Sequence, residues 1–223
     1  MAKQKLRKFA EVGKFNNCFF LSYEQFKNNA FPLKGNWNKN YFKNDNPIVL
    51  ELGCGKGEYT VGLAERSPYK NYIGIDLKGN RIWTGAKVAL ENKMDNVAFI
   101  RTRVDYVEGC FAENEVDEIW ITFPDPQPQL SRIRGRLTNM MFINRYKTIL
   151  KKGGFVNLKT DSSSFYEYTL EVIGENNLKL LDATNNLYWD ATSRPEELTA
   201  IKTYYEKKFS DLGFDICYLK FTI

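Results

Sequence analysis

The residues of this chain equipped for chemistry are acids: one mounted between prolines, one at the mouth of a glycine loop, and others after apolar runs. Phe123-Pro124-Asp125-Pro126-Gln127-Pro128 follows the apolar run Ile119-Trp120-Ile121-Thr122. Proline fixes φ and cannot donate to a sheet ladder, so a strand must stop there and the backbone carrying Asp125 is stiff. Asp125 is then either an aimed acid in an active-site mouth or the cap of a turn that ends a buried strand. Upstream, Ile48-Val49-Leu50-Glu51-Leu52-Gly53-Cys54-Gly55-Lys56-Gly57 runs from a buried strand into a loop that opens a helix. Such a loop turns backbone N–H groups and a helix N-terminus toward a ligand. It is not the dinucleotide fingerprint G-x-G-x-x-G, because Glu58 stands in the third glycine's place and Gly57 comes one residue early.

The spacing Glu-x-Gly-x-Gly-x-Gly resembles instead the first motif of S-adenosylmethionine-dependent methyltransferases. In that setting Gly53, Gly55 and Gly57 line the cofactor, and Glu51 faces its cationic methionine end, where a pyrophosphate would be repelled. Asp76 ends Ile73-Gly74-Ile75-Asp76, at a place where a carboxylate can accept both ribose hydroxyls of a nucleoside. Asp105, in Arg103-Val104-Asp105-Tyr106, is placed to accept from an adenine amino group. Each acid alone is commonly a helix N-cap, but in series they agree. Cys54 reads as a small loop residue rather than a nucleophile.

These groups need elements to hold them. From Ile48 onward short apolar runs alternate with amphipathic segments, the pattern of strand and helix units building a parallel sheet. Strands are expected at Ile48 to Leu52, Tyr72 to Asp76, Val97 to Arg101, Glu118 to Thr122, Phe155 to Lys159 and Ile216 to Thr222. Helices are expected at Tyr59 to Arg66, Arg81 to Asn92, Thr138 to Leu150, Phe165 to Glu175 and Leu198 to Leu212, where apolar residues recur at three and four. Gly153-Gly154 reads as a helix stop before a strand. Residues 1–46, with nine Lys or Arg against two Glu before Asp45, have no clean period and read as a basic arm leading into a single domain over 47–223.

Composition narrows the chemistry further. The 223 residues, 43% apolar, fill one sizeable core and leave little for a second domain. There is no histidine, which excludes His-based triads, imidazole acid–base steps and His-ligated metals, and no metal is expected. The four cysteines form no Cys-x-x-Cys pair, so neither a zinc ribbon nor a disulfide framework is indicated. A reducing cytosol fits them, and no run approaches the ~20 apolar residues of a membrane span; the expectation is a soluble, cytoplasmic protein, monomer or homodimer. Net charge is +5, yet no acid lies between Asp125 and Asp161, while Arg132, Arg134, Arg136, Arg145, Lys147, Lys151, Lys152 and Lys159 fall inside. That cationic tract is either a solvated face or a surface for an anionic substrate such as nucleic acid.

The whole chain resembles the bacterial tRNA (guanine-N7-)-methyltransferase family. The match rests on Gly35-Asn36-Trp37-Asn38, Leu50 to Gly57, Asn71 to Asp76, Phe123-Pro124-Asp125-Pro126, Lys159-Thr160-Asp161 and Thr203-Tyr204-Tyr205-Glu206. It implies an α/β, Rossmann-like class I methyltransferase fold: a mostly parallel seven-stranded sheet with an antiparallel C-terminal strand and helices on both faces. It implies methyl transfer from S-adenosylmethionine to N7 of a guanosine in the variable loop of tRNA, position 46 in standard tRNA numbering. By resemblance Glu51, Asp76, Asp105 and Asp125 contact the cofactor, with Asp125 also the active-site acid, while Asp161 and Thr203 to Glu206 bind the target guanosine. Many members follow Asp-Pro with Trp-Pro-Lys; here the substrate lysine is Gln129, which shifts phosphate contact toward Arg132, Arg134 and Arg136. The rival readings are a methyltransferase acting on an exocyclic amine of adenine or cytosine, and a non-catalytic RNA-binding protein with a vestigial cofactor fold.

Overall fold

The computed structural model describes residues 2–189 and 193–223. Its centre is one eight-stranded sheet in the order β1-β4-β3-β2-β5-β6-β8-β7, formed by β1 (Cys18–Phe20), β2 (Ile48–Leu52), β3 (Asn71–Asp76), β4 (Val97–Arg101), β5 (Val116–Thr122), β6 (Leu150–Thr160), β7 (Lys179–Thr184) and β8 (Cys217–Thr222). All pairings are parallel except those of β8, which runs antiparallel to both β6 and β7. The six expected strands are present, and the expected seven-stranded sheet becomes eight-stranded.

Alternate residues of the central strands enter two separate cores. Leu50, Ile73, Ile75, Ile119 and Ile121 join one, and Val49, Tyr72, Phe99 and Trp120 the other. Successive side chains of a strand point to opposite faces, so both faces are covered, as a parallel sheet requires. The cover is α1 (Ala2–Val12), α2 (Tyr23–Lys27), α3 (Glu58–Arg66), α4 (Gly79–Glu91), α5 (Val107–Cys110), α6 (Met140–Ile149), α7 (Ser163–Glu175), α8 (Glu197–Ala200) and α9 (Tyr204–Asp211), with short 3-10 turns at Val104–Tyr106 and Leu130–Gly135.

Four expectations are corrected. The first concerns residues 1–46, which are woven into the fold: β1 pairs with β4, α1 packs on α4, and Trp37 is fully buried with its Nε1–H donating to the Cys110 carbonyl at 3.0 Å. α1 spans eleven residues, but the elements after it, three residues of strand, five of α2 and a π-helical turn at Trp37–Phe42, are too short to generate a period. β7, the second, was invisible in the sequence because its first three residues are exposed and its register shifts between Leu180 and Asp182. Third, Gly153-Gly154 does not stop a helix: α6 has already ended at Ile149, and the glycines lie inside the irregular start of β6. Fourth, the single helix expected over Leu198 to Leu212 is two, broken at residues 201–203, where the Thr203 hydroxyl accepts from Glu206 N–H at 3.1 Å and starts α9 afresh.

Candidate active site

β2, β3, β4 and β5 are parallel, so their C-terminal ends open at one rim, the place where a doubly wound sheet binds ligands. The loop after β2 turns sharply there. Gly57 adopts φ +73°, and a Cβ on it would stand 2.7 Å from the Phe99 ring, so the loop lies against β4 only because that side chain is missing. Asp76, at the end of β3, holds the loop from the side: its carboxylate accepts from Gly55 N–H at 3.0 Å and from Lys78 N–H at 2.7 Å.

Two hollows meet at Gly53. The first is bounded by Glu51, Cys54, Lys56, Arg81, Thr122, Phe123 and Thr203 to Tyr205. Glu51, only 3% exposed, forms part of its wall and accepts from Thr60 N–H at 2.8 Å, from the Thr60 hydroxyl and from the Thr122 hydroxyl at 2.5 Å. Burial pushes its carboxyl up to about 7, against those hydrogen bonds, and the nearby Asp76 charge adds to the rise. No cationic side chain pairs with it among the described residues' ion pairs. The second hollow is bounded by Asp76, Leu77, Thr102, Val104, Asp105, Arg134, Leu137 and Phe142. Here Asp105 pairs with Arg103 at 3.1 Å beside an apolar wall. Glu51, Gly53, Gly55, Asp76 and Asp105 are thus brought to one bipartite hollow, a carboxylate without a cation at one end and two strand-end acids at the other. Gly57 lies beneath it as the N-cap of α3.

The remaining expected residues divide. Thr203, Tyr204 and Tyr205 form part of the first hollow, tied there by Tyr204 N–H donating to Glu58 at 3.0 Å and by Lys56 over the Tyr204 ring at 4.8 Å. Glu206 does not reach it: it is fully buried and paired with Lys159 at 2.7 Å. Asp125 is exposed on the rim and accepts from Gln127 N–H at 3.1 Å, so it caps its own turn and borders neither hollow. Asp161, half-buried at the end of β6, also stands outside both, with its carboxyl raised by burial. Gln129, Arg132 and Arg134 are exposed on the same side, and Arg134 borders the second hollow. Arg136 is buried and structural in its contacts: Nε donates to the Pro126 carbonyl at 3.1 Å, the guanidinium reaches the Gln127 carbonyl at 3.3 Å, and it lies 4.3 Å from the centre of the Tyr168 ring. It fastens the proline turn and is not open to a phosphate.

Thr60, Thr122, Arg81 and Lys159 also bear on the site, none of them among the expected site residues. Thr122 carried a signal, a hydroxyl at the last position of a buried strand; Lys159 carried one too, a charge at the end of an apolar run. Phe123 adopts φ +47° immediately before Pro124, a conformation that non-glycine residues avoid, and it borders the first hollow.

Residues 45–219 match the family model described as "Putative methyltransferase". The chain is 52% identical over 222 residues to a tRNA (guanine-N(7)-)-methyltransferase of Christiangramia forsetii, covering 100% of this chain and 99% of that one. It is 46% identical to the protein of that name from Bacteroides fragilis, covering 100% of this chain and 87% of that one. Among solved structures, a 16S rRNA methyltransferase, KamB, superposes with a TM-score of 0.61 at 17% identity, covering 91% of this chain and 94% of that one. At that identity the likeness speaks for the fold.

Proposed function

This chain belongs to the tRNA (guanine-N(7)-)-methyltransferase family, and on that premise we propose that it methylates N7 of a guanosine in the variable loop of tRNA, with S-adenosylmethionine as donor, in the cytoplasm. The observation that carries the reading is the bipartite hollow around Gly53. Glu51, buried, ringed by hydroxyls and without a cation, suits the positively charged methionine end of the donor. Asp76 and Asp105, beside an apolar wall, suit ribose hydroxyls and an adenine amino group. When bound, S-adenosylmethionine supplies an activated methyl group on a sulfonium.

The chain's own residues then have little proton chemistry to perform. Guanine N7 has a lone pair and no proton, so no general base is required, in keeping with a sequence without histidine. The protein's work is to hold the base in line at near-attack distance. Phe123, Tyr204 and Tyr205 offer ring faces beside the hollow, and Asp125 and Asp161 stand on the rim where carboxylates can accept from N1–H and the exocyclic amine of guanine. The same carboxylates suit the positive charge that the base gains. Arg132 and Arg134, exposed on the same side, would take phosphate contacts, with shape reading of a folded RNA dominating over sequence reading.

The test is incubation with S-adenosylmethionine and unmodified tRNA, followed by digestion and identification of the methylated nucleoside. N7-methylguanosine is expected, and transfer should fall sharply in Asp125→Ala and Asp161→Ala. Methyl on an exocyclic amine would select the rival reading, and wild-type rates from both variants would sink the roles given to these acids.

A further inference from the structure

Lys159 forms no part of either hollow, yet it bonds to Phe123 on one wall of the first and to residues that flank Thr203 to Tyr205 on another. Its carbonyl accepts from Phe123 N–H at 2.8 Å, and Phe123 borders one wall. Its fully buried ammonium has three protons and three acceptors: Glu206 Oε1 at 2.7 Å, the Leu198 carbonyl, and the Ile201 carbonyl at 3.4 Å. The two carbonyls belong to the second residue of α8 and to its C-cap, and Glu206 lies in the first turn of α9. One ammonium therefore grips both sides of the break that turns Thr203, Tyr204 and Tyr205 into the hollow. The Tyr59 ring lies 5.3 Å from it, and the Tyr188 hydroxyl donates to the same Glu206 oxygen at 2.5 Å.

Neither helix holds this corner by itself. α8 has four residues and α9 eight, below the ~12–15 at which an isolated helix becomes even marginal in water. Nor does net stability explain the pair, since a buried ion pair is often replaced by apolar groups without loss. What the arrangement does supply is a fixed location. We propose that Lys159 is a positioning residue for the substrate-facing wall: by gripping the α8–α9 corner it sets where Thr203, Tyr204 and Tyr205 stand relative to Phe123. The proposal rests on the reading above that this hollow receives the donor and the target base.

The test is the double variant Lys159→Met/Glu206→Gln, which removes both buried charges together and keeps an oxygen for Tyr188. It should fold and bind S-adenosylmethionine in calorimetry with affinity close to wild type, because Glu51, Asp76 and Asp105 do not touch the pair. Its kcat/KM for tRNA should fall about 10- to 100-fold, the scale of a small misplacement of reacting groups. Hydrogen exchange at the amides of 203–206 should lose protection. Glu206→Gln alone, which leaves Lys159 on the two carbonyls, should retain most of the activity. Wild-type kcat/KM in the double variant overturns the proposal, as does a Glu206→Gln loss equal to that of the double variant, which would mean that the carboxylate itself meets the substrate. If the double variant does not fold, Lys159→Arg carries the same test: it keeps the charge but displaces the corner, and unchanged kcat/KM again overturns the proposal. Should the wild-type protein methylate no tRNA, the reading of function falls, while the exchange measurement still decides the inference, unchanged protection counting against it and lost protection for it.

Discussion

Two glutamates lie buried near the rim of this sheet, and they are kept there by opposite means. Glu206 has its counter-charge inside the fold, in Lys159, and is closed away from the hollow. Glu51 has only hydroxyls and an N–H, borders the hollow, and titrates near 7. The first has its charge balanced within the chain; on the proposed reading the second is balanced by the cationic end of the donor. A buried carboxylate is thus informative about function according to what neutralises it, and the acid without an internal cation is the one the proposed reading sets against a cationic ligand.

The largest effect that can break this comparison comes from Lys159→Met alone, which leaves Glu206 uncompensated and should cost about 3–5 kcal/mol in denaturant unfolding. If the cost is small, Glu206 is not held by charge and the contrast collapses. Next comes Glu51→Gln. In the unfolded chain Glu51 titrates at 4.5 and in the fold at about 7, so between these values the folded protein keeps a proton that the unfolded one has released. Stability should therefore fall as pH rises from about 4.5 to about 7, and Glu51→Gln should abolish that slope and stabilise the apo protein at pH 8 by on the order of 3 kcal/mol. The affinity for S-adenosylmethionine should follow the other sign, rising with pH through about 7 in the wild type and losing that dependence in the variant. Calorimetry across pH 5.5 to 8.5 checks both, and a flat wild-type profile contradicts the role given to Glu51.

Two smaller changes sharpen the contrast. Thr122→Val removes a hydroxyl that donates to Glu51 and should cost about 2 kcal/mol at pH 8, where the carboxylate is ionised, but little at pH 5.5. Tyr188→Phe removes the hydroxyl that donates to Glu206 and should cost about 1 kcal/mol at both pH values, because that carboxylate is paired with Lys159 inside the fold. Thermal unfolding at the two pH values separates them; equal pH behaviour would mean that the two acids are not held differently.

The half of the site around Glu51 was legible because its determinants are local. Ile48 to Gly57 contains the strand, the acid and the turn in ten consecutive residues, and Asp76 and Asp105 follow apolar runs that declare their own ends. The other half was not, since its meaning depends on residues far apart in the chain. The apolar period through Leu198 to Leu212 continues across the break at 201–203, and the ammonium bonded to carbonyls there comes from Lys159 on another strand. Nothing near Glu206 in the sequence announces that it is sealed, and nothing near Arg136 announces that the carbonyls of its own proline turn occupy it. Cys18 to Phe20 escaped notice for another reason, being too few residues to show an alternation.

Phe123 has a consequence for anyone improving this protein by selection. Its φ of +47° ahead of a proline costs about 1–3 kcal/mol, which glycine at that position would largely avoid. A library sorted for heat resistance alone should therefore tolerate Phe123→Gly, the relief offsetting the side chain's packing against the second core, and in doing so remove a side chain at the border of the hollow. Sorting for methyl transfer pulls the same position the other way, so the two screens run on one library would identify residue 123 by their disagreement.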